Sequence, residues 1–492
     1  MKANHTHRSI LSFTHLTLML SLLIVALIVA PPGAVRAGTP GQFVDSGQAL
    51  GSLDSLDVAL GDVDGDGDLD AFVIPDSDPV WINQGGDQGG TPGVYAASGQ
   101  ASSDSAIRGI GLDDLDGDGD LDAFMANYDA NEVWVNQGGD QGGTPGQFQN
   151  SGQALGSENS LNVALGDLDG DGDVDAFVAN HGANRVWVNQ GGAQNGAEGQ
   201  FQESGQALGN STSWGLALGD VDGDGDLDAF VANDGTPDRV WVNLGGAQNG
   251  APGSFADSGQ AFDSSYSMNV ALGDVDGDGD LDAFVTDPSE QGSRVLINQG
   301  GAQEGTLGQF VESGQALGSD QSEGIALGDV DGDGDLDAFV ANSDEKPNRV
   351  YVNQGGMQDG TPGQFLDSGQ ELGSSSSKGV ALGDVDGDGD LDAFVANWGA
   401  FYDPSLAANR VYVNQTDPLG TIVVVKQTDP DGSPDLFTFS GDAAGSITDG
   451  EQIVVTGLLP GTYSAQEAAP EGWELTGITC DDANSSGDVD TA

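Results

Sequence analysis

From residue 43 to residue 414 the apolar positions fall into short runs with two-residue spacing, broken by turns rich in Gly, Asp, Asn and Ser. Within one representative stretch, 215–219, 227–231, 239–243 and 254–260 each read as a strand, the second and third nearly continuous in apolar residues and the fourth alternating. Beyond residue 37 no window of eleven or more residues carries a 3.6-residue apolar period. That pattern predicts an all-β chain.

The four-strand unit recurs. The string Asp62-Val63-Asp64-Gly65-Asp66-Gly67-Asp68-Leu69-Asp70-Ala71-Phe72 returns with its first aspartate at Asp114, Asp167, Asp220, Asp274, Asp329 and Asp384. Seven copies give a period of about 54 residues, the length of a four-stranded propeller blade. Fourth-strand segments begin at Phe43, Tyr95, Phe148, Phe201, Phe255, Phe310 and Phe365, but the first of them precedes the first aspartate loop. The last repeat stops after its third strand, at Val411-Tyr412-Val413-Asn414. Pairing these two ends closes a ring and hides the edges an open array would expose. The expected fold is therefore a seven-bladed β-propeller over 38–415, with an open solenoid as the alternative.

Each aspartate loop has the chemistry of a hard-cation cage. Asp at positions 1, 3, 5 and 9 supplies carboxylates, the position-7 carbonyl adds another oxygen, and Gly at position 6 permits the turn. With no nearby nitrogen or sulfur, oxygen ligands favour Ca²⁺ over zinc or copper. An EF-hand would need a Glu at position 12, where Val73, Val178 and Val231 stand, and strands rather than helices flank the loop. A plain Asp-Gly turn is the alternative, yet five like charges in nine residues, seven times over, disfavour folding unless cations compensate.

The Asp-x-Asp-x-Asp-Gly-x-x-Asp loops between blade strands resemble the FG-GAP/VCBS-type repeat and the integrin α-chain propeller. That resemblance implies up to seven Ca²⁺, one per blade, and adhesion or ligand binding more often than catalysis. Carried over, it assigns as ligands Asp62, Asp64, Asp66, Asp68 and Asp70 in the first loop, the fourth of each set through its carbonyl. In the second and third the set is Asp114, Asp116, Asp118, Asp120, Asp122 and Asp167, Asp169, Asp171, Asp173, Asp175. In the fourth and fifth it is Asp220, Asp222, Asp224, Asp226, Asp228 and Asp274, Asp276, Asp278, Asp280, Asp282. The sixth and seventh hold Asp329, Asp331, Asp333, Asp335, Asp337 and Asp384, Asp386, Asp388, Asp390, Asp392.

Charge agrees with that reading and excludes another. Against 79 Asp plus Glu the chain has 12 Lys plus Arg, a net of −67, so it cannot neutralise nucleic-acid phosphates. The N-terminus has Lys2 and Arg8, an apolar run over 16–30, and Val35-Arg36-Ala37, the pattern of a signal peptide cleaved after Ala37. The run is too short for a membrane span, so a secreted or cell-surface protein is expected, with no transmembrane segment after cleavage. Beyond Ala37 there is one histidine, His181, and one cysteine, Cys480, so no catalytic triad or dyad can be written.

Repeat length varies in one place only. Sixteen residues always separate the Ser after the fourth strand from the next loop's first Asp, as from Ser46 to Asp62. First Asp to third-strand Asn, however, grows from 21 residues (Asp62 to Asn83) to 30 (Asp384 to Asn414). The variation lies in the connection between second and third strands, which emerges opposite the aspartate loops and so marks a binding face. Together with the turns into each first strand, it offers Tyr128, Trp214, Tyr266, Trp398, Phe401 and Tyr402 as ligand-face candidates, for a sugar ring or a protein partner. The aromatics at one third-strand position (Trp81, Trp134, Trp187, Trp241, Tyr351, Tyr412) read as packing, and the Arg opening that strand as ion-paired.

Beyond residue 415 a small β-sandwich domain is expected over 416–492. Tyr463-Ser464-Ala465-Gln466-Glu467-Ala468-Ala469-Pro470-Glu471-Gly472-Trp473 resembles the prealbumin-like, Cna protein B-type stalk domain. The resemblance implies an isopeptide bond from Lys426, assisted by Glu467, to an Asn on a last strand. No such strand is in view before Ala492, so an incomplete domain is expected and the cross-link stays open. The leading expectation is a non-catalytic calcium-binding adhesion or ligand-binding platform. An extracellular polysaccharide-degrading or other hydrolytic enzyme, or a purely structural surface protein, is the alternative.

Overall fold

The computed structural model describes 41–415 except 52–53, 77, 101–105, 139–141, 192–195, 246–250, 263–265, 301–305, 319–320, 356–360 and 400–407. It also describes Leu11–Ser12 and, between 420 and 478, all but 427, 429–432, 442, 459–464, 469, 471–472 and 474–476. Two compact units emerge, one of them Pro40–Gln415. No helix among the described residues is long and apolar enough to cross a membrane.

Pro40–Gln415 is a seven-bladed β-propeller. The first blade orders its strands as in the sequence, Asp57–Gly61, Asp70–Ile74, Val80–Asn83 and Tyr95–Ala97, all antiparallel and here lettered A to D. Each A strand contacts the A strand of the next blade, and the last, Ser376–Gly383, contacts the first, so the ring is closed. Closure is completed as expected by the N-terminal strand. Phe43–Asp45 lies beside Arg410–Asn414 with Phe43 opposite Asn414 and Asp45 opposite Tyr412, the fourth strand of the seventh blade.

The interblade cores explain the phenylalanine in every copy of the repeat. On strand B it is fully buried, and its ring meets the D-strand aromatic of the following blade edge to face. Phe72 and Phe148 are 5.1 Å apart, Phe177 and Phe255 5.3 Å, and Phe339 and Phe43 5.2 Å across the closure. Such pairs add about 0.5–1.5 kcal/mol each to plain burial. Trp134, Trp187, Trp241, Tyr351 and Tyr412 on strand C are buried as packing residues, while Trp81 is half-buried. The arginines opening strand C pair with acids, Arg185 with Glu158 and Glu203, Arg294 with Asp238 and Glu312.

Two polar staples join blades, and the sequence alone did not reveal them. The Asn ending each C strand donates Nδ2 to a carbonyl of the preceding blade's aspartate loop, as from Asn136 to Val63 at 2.8 Å and from Asn414 to Val330 at 2.7 Å. The Gln two residues after each Ser clamps the next blade's backbone. Gln206 donates to the Gly253 carbonyl and accepts from the Phe255 N–H, and Gln370 does the same to Gly41 and Phe43. This role shortens the D strands. Where 254–260 reads as a strand, only Phe255–Asp257 pairs, because Gly259 turns to φ 81° and frees Gln260 to reach the following blade. Strand A of the fourth blade is longer than its pattern, Leu208–Gly219, since Ser211 and Thr212 pair with Gly182 and His181 of the preceding blade.

In the C-terminal unit Gly420–Val425 pairs with Gln452–Leu458, and Phe437–Gly441 lies between Gly445–Ile447 and Ala465–Ala468. Phe437, Phe439, Val424 and Ala465 form its core. There Lys426 Nζ lies 2.7 Å from Glu467 Oε1 and 4.2 Å over the Phe437 ring, both charged groups buried. A pair buried this way is costly to break from one side.

Candidate metal centres and axial cavity

Each aspartate loop is folded by its own first and last carboxylates. In the first blade Asp62 Oδ1 accepts the N–H groups of Gly65 and Asp66 at 2.7 and 3.0 Å, and Oδ2 accepts that of Gly67. Gly65 and Gly67 stand at φ 79° and 99°, where a side chain would strain the turn. Asp70, fully buried, takes Val63 N–H on one oxygen and Asn83 N–H on the other. Asp70 thus ties the start of the loop to the end of strand C.

The middle carboxylates are satisfied only in part, Asp66 accepting the Asp68 N–H at 3.2 Å and Asp64 accepting from Gln88 on one oxygen. One oxygen of Asp64 and both of Asp68 are buried without a hydrogen bond, and both are likewise unsatisfied in Asp120, Asp173, Asp280, Asp335 and Asp390. Asp280 is 8% exposed. The position-7 side chain lies beneath the turn between strands C and D, where a Cβ on Gly85 would fall 2.3 Å from Asp68 Oδ2. This explains the Gly two residues after the strand-C Asn in the first six blades. Burial first, then the neighbouring Asp66 carboxylate, pushes Asp68 up to about 7. Burial likewise lifts Asp70, Asp122, Asp175, Asp228 and Asp282 to about 7, and Asp337 and Asp392 to about 8.

Oxygens of Asp62, Asp64 and Asp66 lie within 4.8 Å of one another, as do those of Asp114, Asp116 and Asp122 and of Asp220, Asp222 and Asp228. Converging carboxylates with buried, unsatisfied oxygens suit a hard divalent cation, so the residues present fit Ca²⁺.

At the start of the A strands, the end opposite the aspartate loops, the propeller holds an axial cavity of about 450 Å³ to which every blade contributes. It gathers three of the six ligand-face candidates, Tyr128, Trp214 and Trp398. Tyr266 is 46% exposed and does not line it, and Phe401 and Tyr402 lie outside the described residues. Six residues before each loop's first Asp the lining reads Leu56, Arg108, Leu161, Trp214, Met268, Glu323 and Lys378. The Arg108 guanidinium sits 4.2 Å over the Tyr128 ring, and Lys378 Nζ is 2.5 Å from Glu323 Oε1. Asp57 accepts the N–H groups of Val58 and Ile110, but burial dominates and raises its carboxyl to about 6. The contributions of Arg108 and Lys378 had no signal in the length pattern, which flags loops and not strand starts.

A closed propeller with an acidic loop between the first two strands of every blade defines the class. The chain belongs to the FG-GAP-like repeat family, whose pattern matches residues 114–178, 167–231, 220–285, 274–340 and 329–395. No curated protein matches it. Among solved structures it is similar to BBS1N in a complex with ARL6DN soaked with mercury, at 11% identity and TM-score 0.49, over 77% of this chain and 98% of that one. It is also similar to the β-propeller domain of Cps50 (Swd1) from Myceliophteria thermophila, at 8% identity and TM-score 0.42, over 75% and 99%. A lectin of Agrocybe aegerita, solved for its recognition of non-reducing terminal N-acetylglucosamine, matches at 16% identity and TM-score 0.39, over 64% and 80%.

Proposed function

We propose that this chain is a calcium-dependent, non-catalytic ligand-binding platform that works outside the cell, with the C-terminal β unit as its stalk. The observation that carries the reading is the set of buried loop carboxylate oxygens with no hydrogen-bond partner, repeated around the ring. Charge that is desolvated and unpaired destabilises a fold unless a counter-charge accompanies it. In each loop the position-1, -3, -5 and -9 carboxyls and the position-7 carbonyl would hold the ion, the position-1 carboxylate also shaping the turn. Bound calcium supplies positive charge and no reaction. Seven ions carry fourteen positive charges and would take the net charge from −67 to −53.

Secretion is supported by the leader-like segment over 1–37, and the stalk role by the resemblance around Glu467. Equilibrium dialysis of the purified chain against Ca²⁺ tests the reading. Binding of several ions per chain, up to seven, with affinities of roughly 10⁻⁴ to 10⁻³ M as in extracellular modules, is expected. A chain that binds none at millimolar Ca²⁺ overturns it.

A further inference from the structure

We propose that the axial cavity binds a neutral saccharide, with the rings of Tyr128, Trp214 and Trp398 stacking on the sugar and the surrounding amides and carboxylates meeting its hydroxyls. The proposal rests on the reading of the propeller as a ligand-binding platform and assigns its site and its ligand class.

At one strand position the repeat stops repeating. Two residues before each loop every blade has Leu, and seven before it six of the seven have Ser. Between them, the position that lines the cavity holds two leucines, a thioether, an indole, two cations and an anion. A position serving the fold would be filled alike in each blade, as the buried strand-B phenylalanine is. Divergence at one strand position that all seven blades turn into a shared cavity is what recognition of one asymmetric molecule by a symmetric ring requires.

A pyranose has a C–H face that stacks on aromatic rings and a rim of hydroxyls that need both donors and acceptors. Trp214 and Trp398 offer rings, and the Trp214 Nε1 donor is buried without a partner. The side-chain oxygens of Asn162 and Asn269 cap the N–H groups of Val163 and Val270 at 2.7 and 2.9 Å, leaving each Nδ2 without a partner among the described residues. Asp57, Asp344 and Ser376 supply acceptors. A cavity of about 450 Å³ falls within the range of small-ligand sites, roughly 300–1,000 Å³.

Charge decides against the other classes. Lys378 is held by Glu323 and Arg108 is laid on Tyr128, so neither cation is presented singly to an anion, which the net charge of −67 would also repel. A cationic ligand would face those same two groups.

The test uses the full chain in millimolar Ca²⁺ with glucose, galactose, mannose, lactose and cellobiose, and with glucuronate and choline as charged probes. Tryptophan fluorescence and saturation-transfer NMR read binding. Expected is binding of at least one neutral sugar, weakened at least about tenfold by Trp214→Leu, a side chain that Leu56 and Leu161 show the position accepts, and unchanged by Tyr266→Ala. Should Trp214→Leu lower the melting temperature, Trp398→Ala, 36% exposed at the same cavity, must give the loss instead. Equal sugar affinity in these variants overturns the site and leaves the platform standing. Binding of glucuronate or choline alone overturns the ligand class. If nothing binds, the proposal falls, and the calcium titration of the same sample shows separately whether the platform reading falls with it.

Discussion

The two ends of the propeller axis differ in how they treat sevenfold repetition. At one end the same nine residues, with five aspartates, are written out seven times with only a Val-Leu exchange at positions 2 and 8. At the other, the seven residues in the equivalent strand position range from Leu56 to Lys378. Identity at one end fits one small ion per blade, and diversity at the other fits one larger ligand for the whole ring. Sequence repetition thus separates what the fold needs from what recognition needs, without any relative for comparison.

Removing calcium should test that contrast most strongly. With free Ca²⁺ at ten times Kd, seven independent sites add on the order of 10 kcal/mol, so EDTA should lower the melting temperature by about 10–15 °C. Equal midpoints with and without the ion would remove the reason for the identical end. Next in size is loss of closure. Deleting 41–50 strips the fourth strand and the Gln370 clamp from the seventh blade, and limited proteolysis should then cut first between Asp384 and Asn414. Cleavage no faster than in the intact chain would contradict a closed ring.

A third measurement compares the positions directly. Phe230→Ala should cost about 3–5 kcal/mol in denaturant unfolding, and Phe124→Ala or Phe284→Ala in other blades about the same, all three being fully buried on strand B. Trp214→Leu should leave stability within about 1 kcal/mol. Similar losses at both kinds of position would erase the distinction.

The smallest effect is in pH, measured in EDTA. Loop carboxyls such as Asp70 and Asp228 are raised by burial from the usual 3.8 to about 7. The folded state therefore binds more protons than the unfolded chain between those values, and their contribution to stability is lost as pH rises through 7. The ion-free protein should melt higher at about pH 5 than at about pH 8, and saturating Ca²⁺ should shrink or invert that order, since protons and cation compete. A rise in melting temperature with pH in EDTA would contradict the buried carboxyls.

Much of this was legible in the sequence because the information is local and repeated. Strand C at Arg239–Asn243, the aspartate loops and the orphan first strand at Phe43 all follow from short windows. What escaped was non-local. The Asn and Gln staples span roughly one blade or more of chain, and the pairing of His181 with Thr212 links two blades through turns with no strand pattern. The cavity is the same kind of object, since Leu56 and Lys378 become neighbours only when the ring exists.

Closure by the first strand also sets an order in time. Phe43 must wait for Asn414, 371 residues later, and at roughly 5–20 residues per second that is on the order of twenty to seventy seconds of synthesis. Throughout that interval the segment is an unpaired edge. It is three residues long, and of them only Phe43 is buried in the finished ring while Val44 and Asp45 remain exposed. An edge so short offers little for another chain to add to, so the piece that locks the molecule last is also poorly suited to seeding its aggregation while it waits.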